Sequence, residues 1–168
     1  MAQENHNWDK VLELFFEFSS KSFTVREISK KTKVPSSTVQ RYLERLRENE
    51  MINQDNIANI NPYFKFKKTF FIIDKIYESG LINYLEENFV PETIILFGGM
   101  RKGDYDSESD IDLFVSTTKG VKLDLKKFEK KLGHNIQLFL KKDINELPTH
   151  LFNNVINGIK LSGYFKIK

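Results

Sequence analysis

Apolar residues recur at helical spacing through the first half of the chain and as short strand-like runs further on. Trp8, Val11, Leu12, Leu14, Phe15, Phe16 and Phe18 trace a first amphipathic helix. In Phe23-Thr24-Val25-Arg26-Glu27, Thr24 and Glu27 have the spacing of a capping box and open a short helix through Ile28 to Lys31. Lys33-Val34-Pro35 breaks it, and Ser36 or Ser37 can cap a third helix with apolar positions Val39, Tyr42, Leu43 and Leu46. Met51 to Gln54 and Ile57 to Ile60 flank Asp55-Asn56 and predict a two-stranded hairpin.

Asn61-Pro62 then starts a connector. Lys65 to Ser79 and Leu81 to Phe89 read as two helices separated by Gly80, with Phe66, Phe70, Ile73, Ile76, Ile82 and Leu85 as their covering face. Pro91 precedes a strand at Thr93–Phe97, and a second strand follows the acidic stretch before Val115. A lysine-rich helix near Asp124–Leu132, a strand around Ile136–Leu140, a helix near Leu147–Asn157 and an apolar end from Ile159 to Ile167 complete the pattern. The division this predicts is 1–66 and 67–168, with 67–90 as a helical connector, in an α+β chain.

Composition narrows the classes. The 40% hydrophobic fraction and 15 Phe suffice for packed cores. The absence of Cys excludes disulfides, zinc-thiolate sites and thiol catalysis. No apolar run approaches the roughly 20 residues of a membrane span, and the polar start Met1 to Lys10 is unlike a signal peptide, so a cytoplasmic protein with no membrane partner is expected. A net charge of +3 permits a nucleic-acid partner without demanding one.

Chemistry concentrates between residues 97 and 115. Gly98-Gly99 follows an apolar strand, ten residues intervene, and Asp110 and Asp112 head the next strand. Positions two apart on a strand share a face about 6–7 Å apart, so the two carboxylates can hold a divalent cation beside a glycine turn with free N–H groups. Competing motifs fail on spacing. An EF-hand loop from Asp104 would need Gly at its sixth position and Glu at its twelfth, where Ser109 and Val115 stand. A P-loop from Gly98 would need Lys-Ser or Lys-Thr after Gly103, where Asp104-Tyr105 stands. His6, His134 and His150 form no metal-ligand pattern.

The order helix, short helix, turn, helix, hairpin over residues 8–66 resembles a winged helix-turn-helix. That likeness implies that the third helix presents Ser36, Ser37, Thr38, Gln40, Arg41 and Arg45 to the major groove of double-stranded DNA, with Asp55-Asn56 at the wing tip. Residues 1–66 hold ten Lys/Arg against nine Asp/Glu, so charge alone adds little. Trp8 to Phe18 carries enough apolar surface for a homodimer, and an internal core explains that surface equally well.

The segments Leu96 to Asp104 and Ser109 to Leu113 resemble the minimal nucleotidyltransferase domain of the polymerase-beta-like superfamily, whose signature is Gly-Ser, about ten residues, then Asp-x-Asp. The likeness extends over residues 81–168 and implies a mixed sheet flanked by helices. It implies nucleotide contact by Gly98, Gly99, Lys102 and Ser109, and one or two Mg²⁺ held by Asp110 and Asp112 as the catalytic pair. Two departures stand out: Gly99 replaces the family's Ser, and Gln137 falls where a third carboxylate is usual. The expected activity is Mg²⁺-dependent transfer of a nucleoside monophosphate from an NTP, ATP first, to a hydroxyl on a protein, nucleic acid or small molecule. An antitoxin-type enzyme acting on a toxin-like partner fits such a small domain with a DNA-binding module. The alternative is a DNA-binding transcriptional regulator whose nucleotidyltransferase-like domain is catalytically degenerate.

Overall fold

The computed structural model describes residues 2–164. It divides into two compact units, Met1–Lys65 and Phe66–Lys168. The first holds α1 (Ala2–Glu17), α2 (Val25–Thr32) and α3 (Ser36–Glu48). Val11, Phe15, Phe16, Ile28, Val39, Leu43 and Leu46 are the buried faces of these helices, at the positions the periodicity marks. Thr24 caps α2 in a full capping box: its hydroxyl accepts from the Glu27 N–H, and the Glu27 carboxylate accepts from the Thr24 N–H at 2.8 Å. These bonds hold the exposed Glu27 carboxyl below its ordinary pKa, the backbone bond to Thr24 first among them.

Two local details differ from expectation. α3 is preceded by Pro35 as its N-cap, so neither Ser36 nor Ser37 caps it; both are exposed in its first turn. The extended conformation that proline favours places the Pro35 carbonyl to accept the Val39 N–H at 2.9 Å. The hairpin shrinks to one bridge, Ile52 to Ala58. Asn53 uses its side-chain oxygen to accept the N–H groups of Asp55 and Ile57, tightening the turn. Asp55 stays at the tip. Asn56 turns inward, donating to the Phe23 carbonyl at 2.9 Å and accepting from Arg47 at 2.6 Å.

α4 (Pro62–Ser79) begins three residues earlier than the apolar pattern suggests, with proline in its first turn and the Asn61 side chain accepting from the Phe64 N–H at 2.8 Å. α5 (Leu81–Phe89) follows Gly80. Next come β1 (Thr93–Phe97), the short α6 (Gly98–Lys102), β2 (Ile111–Ser116), α7 (Lys126–Leu132) and β3 (Ile136–Lys141). A 3-10 turn at Ile144–Glu146, α8 (Thr149–Ile156) and β4 (Ile159–Gly163) close the described chain. Phe165 and Ile167, the end of the expected apolar tail, lie outside the described residues.

The sheet has the order β3-β2-β1-β4, with β2 and β3 parallel and the other pairs antiparallel. β1 is buried on both faces because helices cover both. One core joins Ile94, Leu96, Leu113 and Val115 to Ile76, Leu85, Phe89, Phe128 and Leu132; the other joins Ile95, Phe97 and Phe114 to Leu147 and Val155. Fold class is therefore α+β with a mixed, helix-flanked sheet. Ile73 and Ile76 pack into the core as expected, but the first half of α4 does not: Phe66 and Phe70 are exposed, while Lys68, Thr69 and Ile72 are buried.

Candidate active site

Strand register builds the site. Phe97 at the end of β1 pairs with Asp112, and Asp112 pairs with Gln137 on β3. The glycine turn, one aspartate and the β3 amide thus lie side by side across three strands. Gly98 has φ +71°, and a Cβ there would lie 2.2 Å from Asp112 Oδ2. Only glycine lets this carboxylate lie against the turn. A Cβ added at Gly99 would have the Asp104 carbonyl oxygen as its nearest neighbour, 3.7 Å away, so that position has room.

Asp110 directly precedes β2, and both of its oxygens accept amide protons. Asn135 Nδ2 donates to Oδ1 at 3.1 Å, and Gln137 Nε2 donates to Oδ2. Asp112 is half-buried; burial first, and the neighbouring Asp110 charge second, raise its pKa above the ordinary carboxylate value. The two aspartates are the sequence-expected pair, brought together as alternation requires. Gln137 stands beside them as the pattern indicates. Asn135 belongs to no motif in the sequence; its only signal there is its position two residues before Gln137.

The remaining expected residues lie around this centre. Lys102 is exposed at the end of α6. Ser109 bonds into a turn: its hydroxyl donates to Asp106 Oδ1 and accepts from the Asp106 N–H, both at 3.0 Å. The Glu108 N–H donating to Asp106, followed by that Ser109 bond, holds the Asp106 carboxyl below its ordinary pKa. His134, 5% exposed, places Nδ1 2.8 Å from the Ser109 carbonyl. A cavity of about 340 Å³ opens beside Asp110, lined by Ser107, Glu108, Ser109, Glu129, Lys130, Gly133, His134 and Asn135, with no aliphatic side chain among them.

A divalent cation fits these donors. Carboxylate and amide oxygens are hard ligands, and a cation would offset the burial and, after it, the Asp110 charge that raise Asp112. Among the described residues no third Asp, Glu or His joins the pair, so the set is incomplete without phosphate or water oxygens.

In the N-terminal unit, Ser36, Ser37, Gln40, Arg41 and Arg45 are exposed along α3, and Thr38 is half-buried. The Arg45 guanidinium lies 4.8 Å from the Trp8 ring centre and that of Arg41 5.7 Å from Tyr42. Among the described residues no helix is long and apolar enough to cross a membrane.

Comparison with known families adds two findings. A family model described as a nucleotidyltransferase domain matches residues 78–161. A model for the sugar-specific transcriptional regulator TrmB matches residues 18–74. No curated protein and no solved structure gave a match.

Proposed function

The chain belongs to the nucleotidyltransferase domain family, preceded by a winged-helix DNA-binding region of the TrmB type, and from that premise we propose a cytoplasmic, Mg²⁺-dependent transferase that moves a nucleoside monophosphate from ATP or another NTP to a hydroxyl. The observation that carries the reading is Asp112 set against Gly98 with the Asp110 carboxylate close enough to raise it. Domains of this family generally use divalent metals. Mg²⁺ held by Asp110 and Asp112 would align the acceptor oxygen with the α-phosphate and stabilise the departing pyrophosphate.

The chain's own groups do the rest. Backbone N–H groups at Gly98 and Gly99 let phosphate oxygens approach without a side chain between. Lys102 adds positive charge from an exposed position, suited to a solvated triphosphate. Asn135 and Gln137 orient the Asp110 carboxylate. The polar cavity next to Ser109 and Asn135 offers a berth for a hydrophilic acceptor, whether part of a toxin-like protein or a free molecule.

Gln137 favours one second reading. An amide cannot act as the general base that a third carboxylate supplies, so the domain would bind nucleotide and report to the DNA-binding unit without turnover. Labelled ATP with Mg²⁺, wild type against an Asp110→Asn/Asp112→Asn double variant, separates the two. Transfer lost in the double variant establishes the enzyme. Mg²⁺-dependent nucleotide binding without transfer leaves a nucleotide-sensing regulator, and neither activity leaves only a DNA-binding regulator with a fully degenerate domain.

A further inference from the structure

The inward face of α4 carries an unexpected charge. Lys68, Ile72 and Ile76 recur every four residues and so share one face of the helix. Lys68 is 2% exposed and Thr69 5%, as deep as the isoleucines beside them. Taking an ammonium out of water is costly unless its protons and charge are met. A helix packed for stability alone would place leucine at this position.

Both polar side chains reach the segment that joins the glycine turn to Asp110. Lys68 Nζ donates to the Tyr105 carbonyl and stands 4.3 Å from the centre of the Tyr105 ring. The Tyr105 hydroxyl donates back to the Lys68 carbonyl at 3.1 Å. The Thr69 hydroxyl lies 3.2 Å from the Met100 carbonyl and 3.3 Å from that of Arg101, in the last turn of α6. Beyond Tyr105, itself 3% exposed, His134 meets its ring edge-on at 5.8 Å and bonds the Ser109 carbonyl. The chain of contacts runs from α4 through Tyr105 and His134 to the residue before Asp110.

We propose that Lys68 and Thr69 are positioning residues that hold the segment from Gly98 to Asp110 in its ligand-binding shape before any nucleotide arrives. The identity of that ligand rests on the nucleotidyl-transfer reading; the clamp itself does not. Its value is preorganisation. A loop already ordered does not subtract its ordering entropy from the binding free energy. Tyr105 serves as the shared anchor, since Lys68 bonds its backbone and faces its ring while its hydroxyl returns to α4.

The test compares Lys68→Met and Thr69→Val with wild type and with Ile76→Val, a core variant on the same helix that lowers stability while leaving every bond of the clamp in place. Lys68→Met keeps the apolar stem and removes charge and donor; Thr69→Val is the milder variant should the first fail to fold. Hydrogen exchange in the nucleotide-free protein should quicken about tenfold or more at residues 99–109 in the two loop variants, with β1 and β2 unchanged. Affinity for MnATP should fall by about tenfold in parallel, and Ile76→Val should show neither change. Unchanged loop exchange in both variants, or a loosened loop with unaltered MnATP affinity, overturns the proposal. A loosened loop in a protein whose wild type binds no MnATP sustains the clamp and refutes the nucleotide reading instead.

Discussion

Replacing Gln137 by Glu would place a third carboxylate against Asp110 and Asp112, and the structure allows its effect to be worked through. Gln137 pairs with Asp112 across the β2–β3 ladder and donates to Asp110 Oδ2. Without metal, Gln137→Glu exchanges an attractive bond for repulsion. Two unit charges about 4 Å apart repel by about 4 kcal/mol at an effective dielectric of 20 and by about 1 kcal/mol in bulk water. Residue 137 is exposed and Asp110 half-buried, so the lower figure applies. Loss of the amide bond to a solvated carboxylate adds about 1 kcal/mol. A total of about 2 kcal/mol should lower the Tm of a domain this size by about 10 °C. Mg²⁺ should reverse the sign, because three carboxylates would then share one cation. Free Mg²⁺ a hundredfold above its Kd returns about 2.7 kcal/mol. Thermal melts with EDTA and with Mg²⁺, paired with Mn²⁺ titration calorimetry, read both halves. Equal melting of wild type and variant in EDTA, with no larger Mg²⁺ response in the variant, would refute the placement of Gln137 beside the pair.

Three further outcomes follow from the geometry. Asp112 has a raised folded pKa, from burial and then from Asp110, so the folded state keeps a proton that the unfolded chain has released. Its contribution therefore falls as pH rises from the ordinary Asp value of about 4 through the folded one, and the stability of Asp112→Asn relative to wild type, read from urea midpoints, should grow across that window. Gly98→Ala should cost about 2 kcal/mol or more, since it sets a Cβ 2.2 Å from Asp112 Oδ2 at φ +71°. Gly99→Ser, which restores the family's hydroxyl where a Cβ meets its nearest neighbour at an ordinary 3.7 Å, should stay within about 0.5 kcal/mol; equal losses in melts of the two variants would contradict the described turn. Alanine at Arg41 and Arg45 should weaken duplex binding and reduce its salt slope by about 1 per arginine, as fluorescence anisotropy would show; an unchanged slope argues that α3 does not contact phosphate.

Much of this molecule was legible in its residues because the signals were local. Periodicity of three and four marked Val39, Leu43 and Leu46 as one buried face of α3, and alternation put Asp110 and Asp112 on one side of a strand. Thr24 and Glu27 announced their capping box through three-residue spacing alone. Gln137 was matched to the aspartates by the resemblance to the nucleotidyltransferase domain, and the parallel register pairs it with Asp112.

What escaped were decisions made between distant segments. Phe66 and Phe70 read as a covering face, yet α4 turns Lys68 and Thr69 inward, because carbonyls at Met100, Arg101 and Tyr105, over thirty residues on, satisfy their donors. Asn135 became a partner of Asp110 only when β3 lay parallel to β2, and Asn56 left the wing tip because Phe23 and Arg47 offered buried partners. Spacing along a chain reports which side chains share a face. Which polar groups can be buried there depends on what the opposite surface donates or accepts, and only the assembled fold supplies that surface.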